Sequence, residues 1–146
     1  MIKVSKLLEN KGPDIWSIGP DETVYACLAV MEDKGIGALP VLLDGELIGI
    51  ISERDYARKI ILKNRASKDT KVKEIMTRQV YHTFPDQNVE ECLVLMNDKR
   101  IRHLPVLVDE KMTGMISIGD VVKEIIDDQK YTIHQLENYI SWEESY

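Results

Sequence analysis

A repeat constrains this chain more than any other feature. Residues 24–55, "VYACLAVMEDKGIGALPVLLDGELIGIISERD", lie above residues 89–120, "VEECLVLMNDKRIRHLPVLVDEKMTGMISIGD", at a constant offset of 65 and without a gap. The correspondence extends outward, from Pro20-Asp21 and Pro85-Asp86 to Ile60-Ile61 and Ile125-Ile126. Two short apolar lead-ins, "VSKLL" from Val4 and "VKEIM" from Val72, match at an offset of 68. Each repeat is too small to cover its own sheet, so the two copies are expected to share a core.

Each repeat reads as strand, helix, strand, strand, helix. Val24, Cys27, Leu28 and Met31 stand at i, i+3, i+4 and i+7, one apolar face of a helix that Gly35 closes. "ALPVLLD" and "ELIGIIS" are rich in branched residues and flank Asp44-Gly45, a hairpin turn pair. "ERDYARKIILK" returns to helical spacing. Residues 63–71 are a polar linker, and residues 129–146 predict a further C-terminal helix. The expected fold class is α/β (α+β): two β-α-β-β-α repeats packed sheet to sheet with pseudo-two-fold symmetry. Along the chain they divide as 1–65, 66–128 and a C-terminal extension 129–146.

Composition narrows the partners. A formal charge of -6 repels nucleic acid and acidic membranes, so an anionic ligand needs a local cluster of positive charge. No apolar run is long enough to span a bilayer. The opening "MIKVSKLLENKG" is amphipathic and charged, without the apolar run of a signal peptide, and predicts the cytoplasm. Cys27 and Cys92 fall at equivalent positions on the apolar helix faces and are expected as buried hydrophobes rather than a disulfide. His82, His103 and His134 are scattered and show no metal-ligand spacing. No nucleophile stands beside a base and no Gly-rich phosphate loop is present, so no catalytic residue is assigned.

The phrase Gly-x-Ile-Ser-x-x-Asp, read once from Gly49 and again from Gly114, carries the remaining signal. Ser52 with Asp55, and Ser117 with Asp120, have the spacing of a capping box, each starting a helix. The same carboxylates could hold both hydroxyls of a ribose. Capping and ligand binding are compatible.

Pro-Asp before an amphipathic helix, then "GIGALPV" or "RIRHLPV", then Gly-x-Ile-Ser-x-x-Asp, resembles the cystathionine β-synthase (CBS) domain. Two tandem copies resemble a CBS pair, or Bateman module, over roughly residues 1–128, of the free-standing bacterial and archaeal type. The resemblance implies an adenine nucleotide (AMP, ADP, ATP or NAD(H)) as a regulatory ligand. Asp120 and Asp55 would hold ribose, with Ser117 and Ser52 beside ribose and phosphate, and Ile118 and Gly119 inside the second phrase. An adenine slot would come from the opposite repeat: Ile18, Gly19, Val24, Ile36 and Gly37 for Asp120, and Thr83, Phe84, Val89, Ile101 and Arg102 for Asp55. Val24 and Val89 are equally well explained as core.

Phosphate would meet Arg102 and His103, whose order reverses the His-Arg pair that grips phosphate at this place in one member of the family, the gamma subunit of AMP-activated protein kinase. The first repeat has Gly37 and Ala38 there, with Arg54 and Arg58 as compensation. Lys99 and Arg100 also fit a helix end, where cations offset the dipole. The resemblance further implies a homodimer of four repeats and an unknown protein target, with no nucleic acid and no membrane. The tail residues Tyr131, Tyr139, Trp142 and Tyr146 are expected to dock on the pair or, preferably, on another subunit. The function so implied is a sensor and not an enzyme, since the catalytic barrel of inosine monophosphate dehydrogenase needs a couple of hundred further residues. The alternative is an interaction scaffold with vestigial sites.

Overall fold

The computed structural model describes residues 1–144, so Tyr146 lies outside the described residues. In chain order the elements are α1 (Val4–Lys11), α2 (Val24–Lys34), β1 (Ala38–Leu43), β2 (Glu46–Ser52) and α3 (Glu53–Tyr56), which continues as a π-helical turn over Ala57–Ile61. A single 3-10 turn (Ser67–Asp69) leads to α4 (Val72–Ile75), α5 (Val89–Lys99), β3 (His103–Val108), β4 (Lys111–Ser117) and α6 (Ile118–Glu144). The described residues show the expected mixed α/β character, with β1 antiparallel to β2 and a second two-stranded sheet of β3 and β4.

The leading strand of each repeat shrinks to one parallel bridge, Ile18 to Val41 in the first copy and Thr83 to Val106 in the second. The Ile18 N–H donates to the Pro40 carbonyl and the Leu42 N–H to the Ile18 carbonyl. Pro20 and Pro85 follow two residues later. Proline has no N–H to continue a ladder, so pairing stops there.

Two compact units emerge, and neither is a continuous half of the chain. One gathers residues 1–13, 84–104 and the described residues from 116 onward; the other gathers 14–83 and 105–115. The lead-ins are exchanged relative to the order of the sequence. In the unit that begins with α1, the Val4 N–H donates to the Gln87 carbonyl and the Val89 N–H to the Ile2 carbonyl. In the other unit, the Val24 N–H donates to the Thr70 carbonyl and the Val72 N–H to the Glu22 carbonyl. Chain boundaries at 65 and 128 are therefore not the boundaries of packing. The tail also differs from the reading of a separate helix, because α6 runs unbroken for 27 residues. No Gly or Pro follows Gly119, so nothing stops it.

The unit holding residues 14–83 is built on a core of Val24, Cys27, Met31, Leu39, Val41, Ile51 and Ile60, closed by Val72, Ile75 and Met76 of the α4 segment. Gly49 is required there. A Cβ at this position would lie 2.6 Å from the Met76 sulfur and 3.1 Å from the Thr77 carbonyl oxygen. The Ile50 and Thr77 backbones exchange two hydrogen bonds at that crossing. In the unit holding α1, Val4, Leu7, Val89, Cys92, Met96, Leu104, Ile116 and Val121 are buried. Both cysteines are buried and unbridged.

Candidate functional site

Both Ser-x-x-Asp phrases form helix caps, and they differ in what else the carboxylate does. In the first copy the Asp55 N–H donates to Ser52 Oγ at 3.2 Å, and the Ser52 N–H donates back to Asp55 Oδ2 at 3.0 Å. The Ser52 hydroxyl adds a third bond to Oδ2 at 3.1 Å. Oδ1 is engaged as well, by the Thr77 hydroxyl at 3.2 Å and the Lys59 ammonium at 3.0 Å. Lys59 is itself fixed on the Ile75 carbonyl at 2.7 Å. Asp55 is only 8% exposed, a buried carboxylate with both oxygens occupied.

In the second copy the same reciprocal cap is present. The Asp120 N–H donates to Ser117 Oγ at 3.0 Å and the Ser117 N–H to Asp120 Oδ2 at 2.9 Å. The cation comes from far along the chain: Lys11, at the end of α1, reaches the same Oδ2 at 2.7 Å. One turn further along α6, Asn10 donates to Glu124 at 2.6 Å and holds α1 against it. Asp120 Oδ1 takes no hydrogen bond from the described residues, and the side chain is 27% exposed. Burial on its own would raise the Asp120 pKa. The Lys11 ammonium and the Ser117 donors outweigh it and hold the carboxyl below its ordinary value. An ionised carboxylate with one open oxygen can accept two neighbouring hydroxyl donors.

A CBS domain family model matches residues 11–62 and again 72–127. The chain belongs to the CBS-domain family. The mitochondrial CBS domain-containing protein CBSX3 of Arabidopsis thaliana is 41% identical over 94% of this chain and 71% of its own length. A protein from Burkholderia ambifaria, named as a candidate signal-transduction protein with CBS domains, has a solved structure that superposes with a TM-score of 0.83. It is 45% identical over 87% of this chain and 96% of that one. Inosine-5'-monophosphate dehydrogenase of Methanocaldococcus jannaschii is 37% identical over 75% of this chain, which spans 21% of that enzyme. The family is regulatory, and the likeness to the dehydrogenase is confined to that fifth of its length.

The two CBS motifs gather part of the expected site within their own units. The Arg102 carbonyl accepts from the Ile118 N–H at 2.8 Å, which sets Arg102 and His103 beside Ser117 and Asp120. The first copy repeats the link, with the Gly37 carbonyl accepting from the Glu53 N–H at 3.0 Å. Ile36 and Gly37 thus stand next to Ser52 and Asp55 of their own repeat, and Ile101 and Arg102 next to Ser117 and Asp120. Burial holds the His103 pKa below the ordinary histidine value, and the charges of Lys11 and Arg102 push the same way against Asp120. Arg54, Arg58 and Arg102 are exposed.

Other expected residues have firm structural duties. Val24 and Val89 are fully buried, and core packing accounts for both side chains. Ile18 and Thr83 make the bridges to Val41 and Val106. Gly19 accepts from the Glu22 N–H in the turn before α2, and the Phe84 side chain is 44% exposed. Gly119 sits where the first copy has Arg54. A Cβ there would meet Ser117 Oγ at an ordinary 3.6 Å, so no close neighbour in the chain demands the glycine. Among the described residues no cluster of His, Cys, Asp and Glu could hold a metal ion, and no helix is long and apolar enough to cross a membrane.

Sequence reasoning missed three side chains. Lys59 was legible, since a cation four residues after Asp55 on a helix is an ordinary pairing. Thr77 and Lys11 carried no signal. Lys11 is separated from Asp120 by 109 residues and looks like any exposed lysine at a helix end.

Proposed function

We propose that this CBS pair is a sensor of adenine nucleotides and that its second motif is the ligand-binding one. The observation that supports this most is the open Oδ1 of Asp120, set against the saturated carboxylate of Asp55. In this reading Asp120 accepts the ribose hydroxyls, and Ser117 continues to cap α6. Arg102, with a fork suited to phosphate oxygens, and His103 and Lys11 hold the phosphate end. The absent side chain at Gly119 leaves room over the Ser117 hydroxyl. AMP, ADP, ATP and NAD(H) share the adenosine and phosphate chemistry that this set would recognise. A nucleotide held by Lys11 of α1 as well as by α6 would bias the packing of those two helices, by no more than its differential affinity for the arrangements. The assembly proposed is a homodimer that signals to a protein target.

Calorimetric titration of nucleotide-stripped protein with AMP, ADP, ATP, NAD and adenosine tests the reading. One site per chain with micromolar affinity is expected. Asp120→Asn should weaken binding by about 10- to 100-fold, the range for hydrogen bonds to a charged group. Arg102→Ala should cost AMP far more affinity than adenosine. Heat that is absent for every ligand, or unchanged in Asp120→Asn, would overturn it.

A further inference from the structure

The carboxylate of the first motif is closed off by two side chains that the second motif lacks. Asp55 Oδ2 is committed to the helix cap, through the Ser52 N–H and hydroxyl. Oδ1 is held from outside the cap, by the Thr77 hydroxyl and the Lys59 ammonium. Both of these groups stand nearer to solvent than the oxygen they hold. The Asp55 side chain is 11% exposed and the Lys59 side chain 41%, and Thr77 is exposed. They cover Oδ1 from the surface side, so their removal uncovers a carboxylate oxygen and leaves the apolar core in place.

Local sequence explains why only one copy is closed in this way. Lys59 follows Asp55 by four residues, a pairing distance on a helix. At the matching position, 65 residues on, the chain has Glu124. An ionised glutamate has no proton to donate to Asp120, and Glu124 instead accepts from the Asn10 amide. The lead-in helices differ as well. α4 ends at Ile75, and Met76 turns extended at φ -60 and ψ 150. That turn brings Thr77 into its backbone exchange with Ile50 and its hydroxyl onto Asp55. α1 instead stays helical for eight residues, with Glu9 at the offset of 68 that corresponds to Thr77.

We infer that Lys59 and Thr77 set the number of ligand sites in this chain: they stand on Asp55 where the neighbouring hydroxyls of a nucleoside stand on Asp120, and without them the first motif takes the same class of ligand. The inference deepens the proposed reading of the second motif and rests on it for the class of ligand. An ammonium and a hydroxyl bring two donors to one carboxylate oxygen, the same number that a ribose diol brings. A buried carboxylate without a partner is costly, so an internal cation satisfies Asp55 with no ligand present. Lys59 is also tied to the Ile75 carbonyl, which joins the π-helical turn to the end of α4. The first motif thus acts as a structural node, and its closure lies in two side chains rather than in its fold.

Calorimetric titration of the full chain with AMP tests it. Lys59→Met combined with Thr77→Val keeps the stem of one side chain and the shape of the other. Binding should rise from one AMP per chain to two, and AMP should raise the thermal transition of this variant more than that of the wild type. Lys59→Arg keeps the cation and should leave a single site. Adding Asp55→Asn to the open variant should remove the gained event and no other. The reciprocal change, Glu124→Lys, serves should the open variant not fold. It sets a cation four residues after Asp120, and should weaken adenosine, which has no phosphate for the new charge to attract, by about tenfold. A stoichiometry that stays at one in the folded open variant, a gain that survives Asp55→Asn, or an adenosine affinity unchanged by Glu124→Lys would each overturn the inference. A wild type that binds no AMP would overturn the reading of the second motif instead, and the gained event would then decide this inference by itself.

Discussion

The two CBS repeats answer the same local problem with the same residues and then diverge. Each caps a helix with serine and aspartate, and each ties the residue before its Leu-Pro-Val strand to the start of that helix. In the first copy the carboxylate is buried and shared among Ser52, Thr77 and Lys59. In the second it stays partly exposed, with a single cation from a distant helix. The repeated phrase is thus a cap in both places, and only the second retains capacity for something else. The helices that follow diverge too. The first changes from α to π geometry after four residues and ends, whereas the second continues for 27.

The largest expected effect separates the two acids. Asp55→Asn removes the charge from a buried carboxylate that accepts from Ser52, Thr77 and Lys59, so it should cost about 2–3 kcal/mol of stability in chemical denaturation, the scale of hydrogen bonds to a charged group. Asp120→Asn should cost less than about 1 kcal/mol, because its pair with Lys11 is partly exposed. Equal losses would erase the distinction. Next in size, Gly49→Ala should cost on the order of 2 kcal/mol, since Met76 and the Thr77 carbonyl leave no room for a methyl.

A smaller effect belongs to His103 alone, for the first copy has Ala38 at its place. Its folded pKa lies below the ordinary 6.5. The unfolded chain therefore binds the proton more readily, and stability should fall as pH drops below about 6.5 towards the folded value. His103→Gln should flatten that part of the stability–pH curve. A curve of unchanged slope would remove His103 as its source. The smallest effect compares the hairpin turns. Asp44-Gly45 and Asp109-Glu110 both adopt positive φ, but only the first has glycine at its second position, and Glu110 has φ 66. Glu110→Gly should stabilise by about 0.5 kcal/mol, the left-handed strain outweighing glycine's extra unfolded freedom. A loss of stability would show that the second turn gains something from its side chain.

The parts of this molecule that were legible in the sequence are those set by period and by local chemistry. The repeat, both hairpins, the paired lead-ins and the two caps follow from spacing over a few residues. The inward faces of α2 and α5 follow from Val24, Cys27 and Met31 and their counterparts. What stayed hidden depends on contacts between distant positions. Lys11 meets Asp120 only because α1 packs beside α6. The reduction of the leading strands to single bridges was signalled by Pro20 and Pro85, and the unbroken α6 by the absence of any stop signal. The π-helical turn at Ala57–Ile61 left no mark in the pattern of residues that form it.

The exchanged lead-ins bear on how this protein is made. Ile2 and Val4 are synthesised well ahead of their backbone partners, Val89 and Gln87. At synthesis rates of about 5–20 residues per second, α1 waits several seconds for them. Until then Val4 and Leu7 have no native burial site. A fragment released after the first repeat would carry an amphipathic helix whose apolar face has nowhere to dock, so folding of α1 is committed to completion of the second repeat.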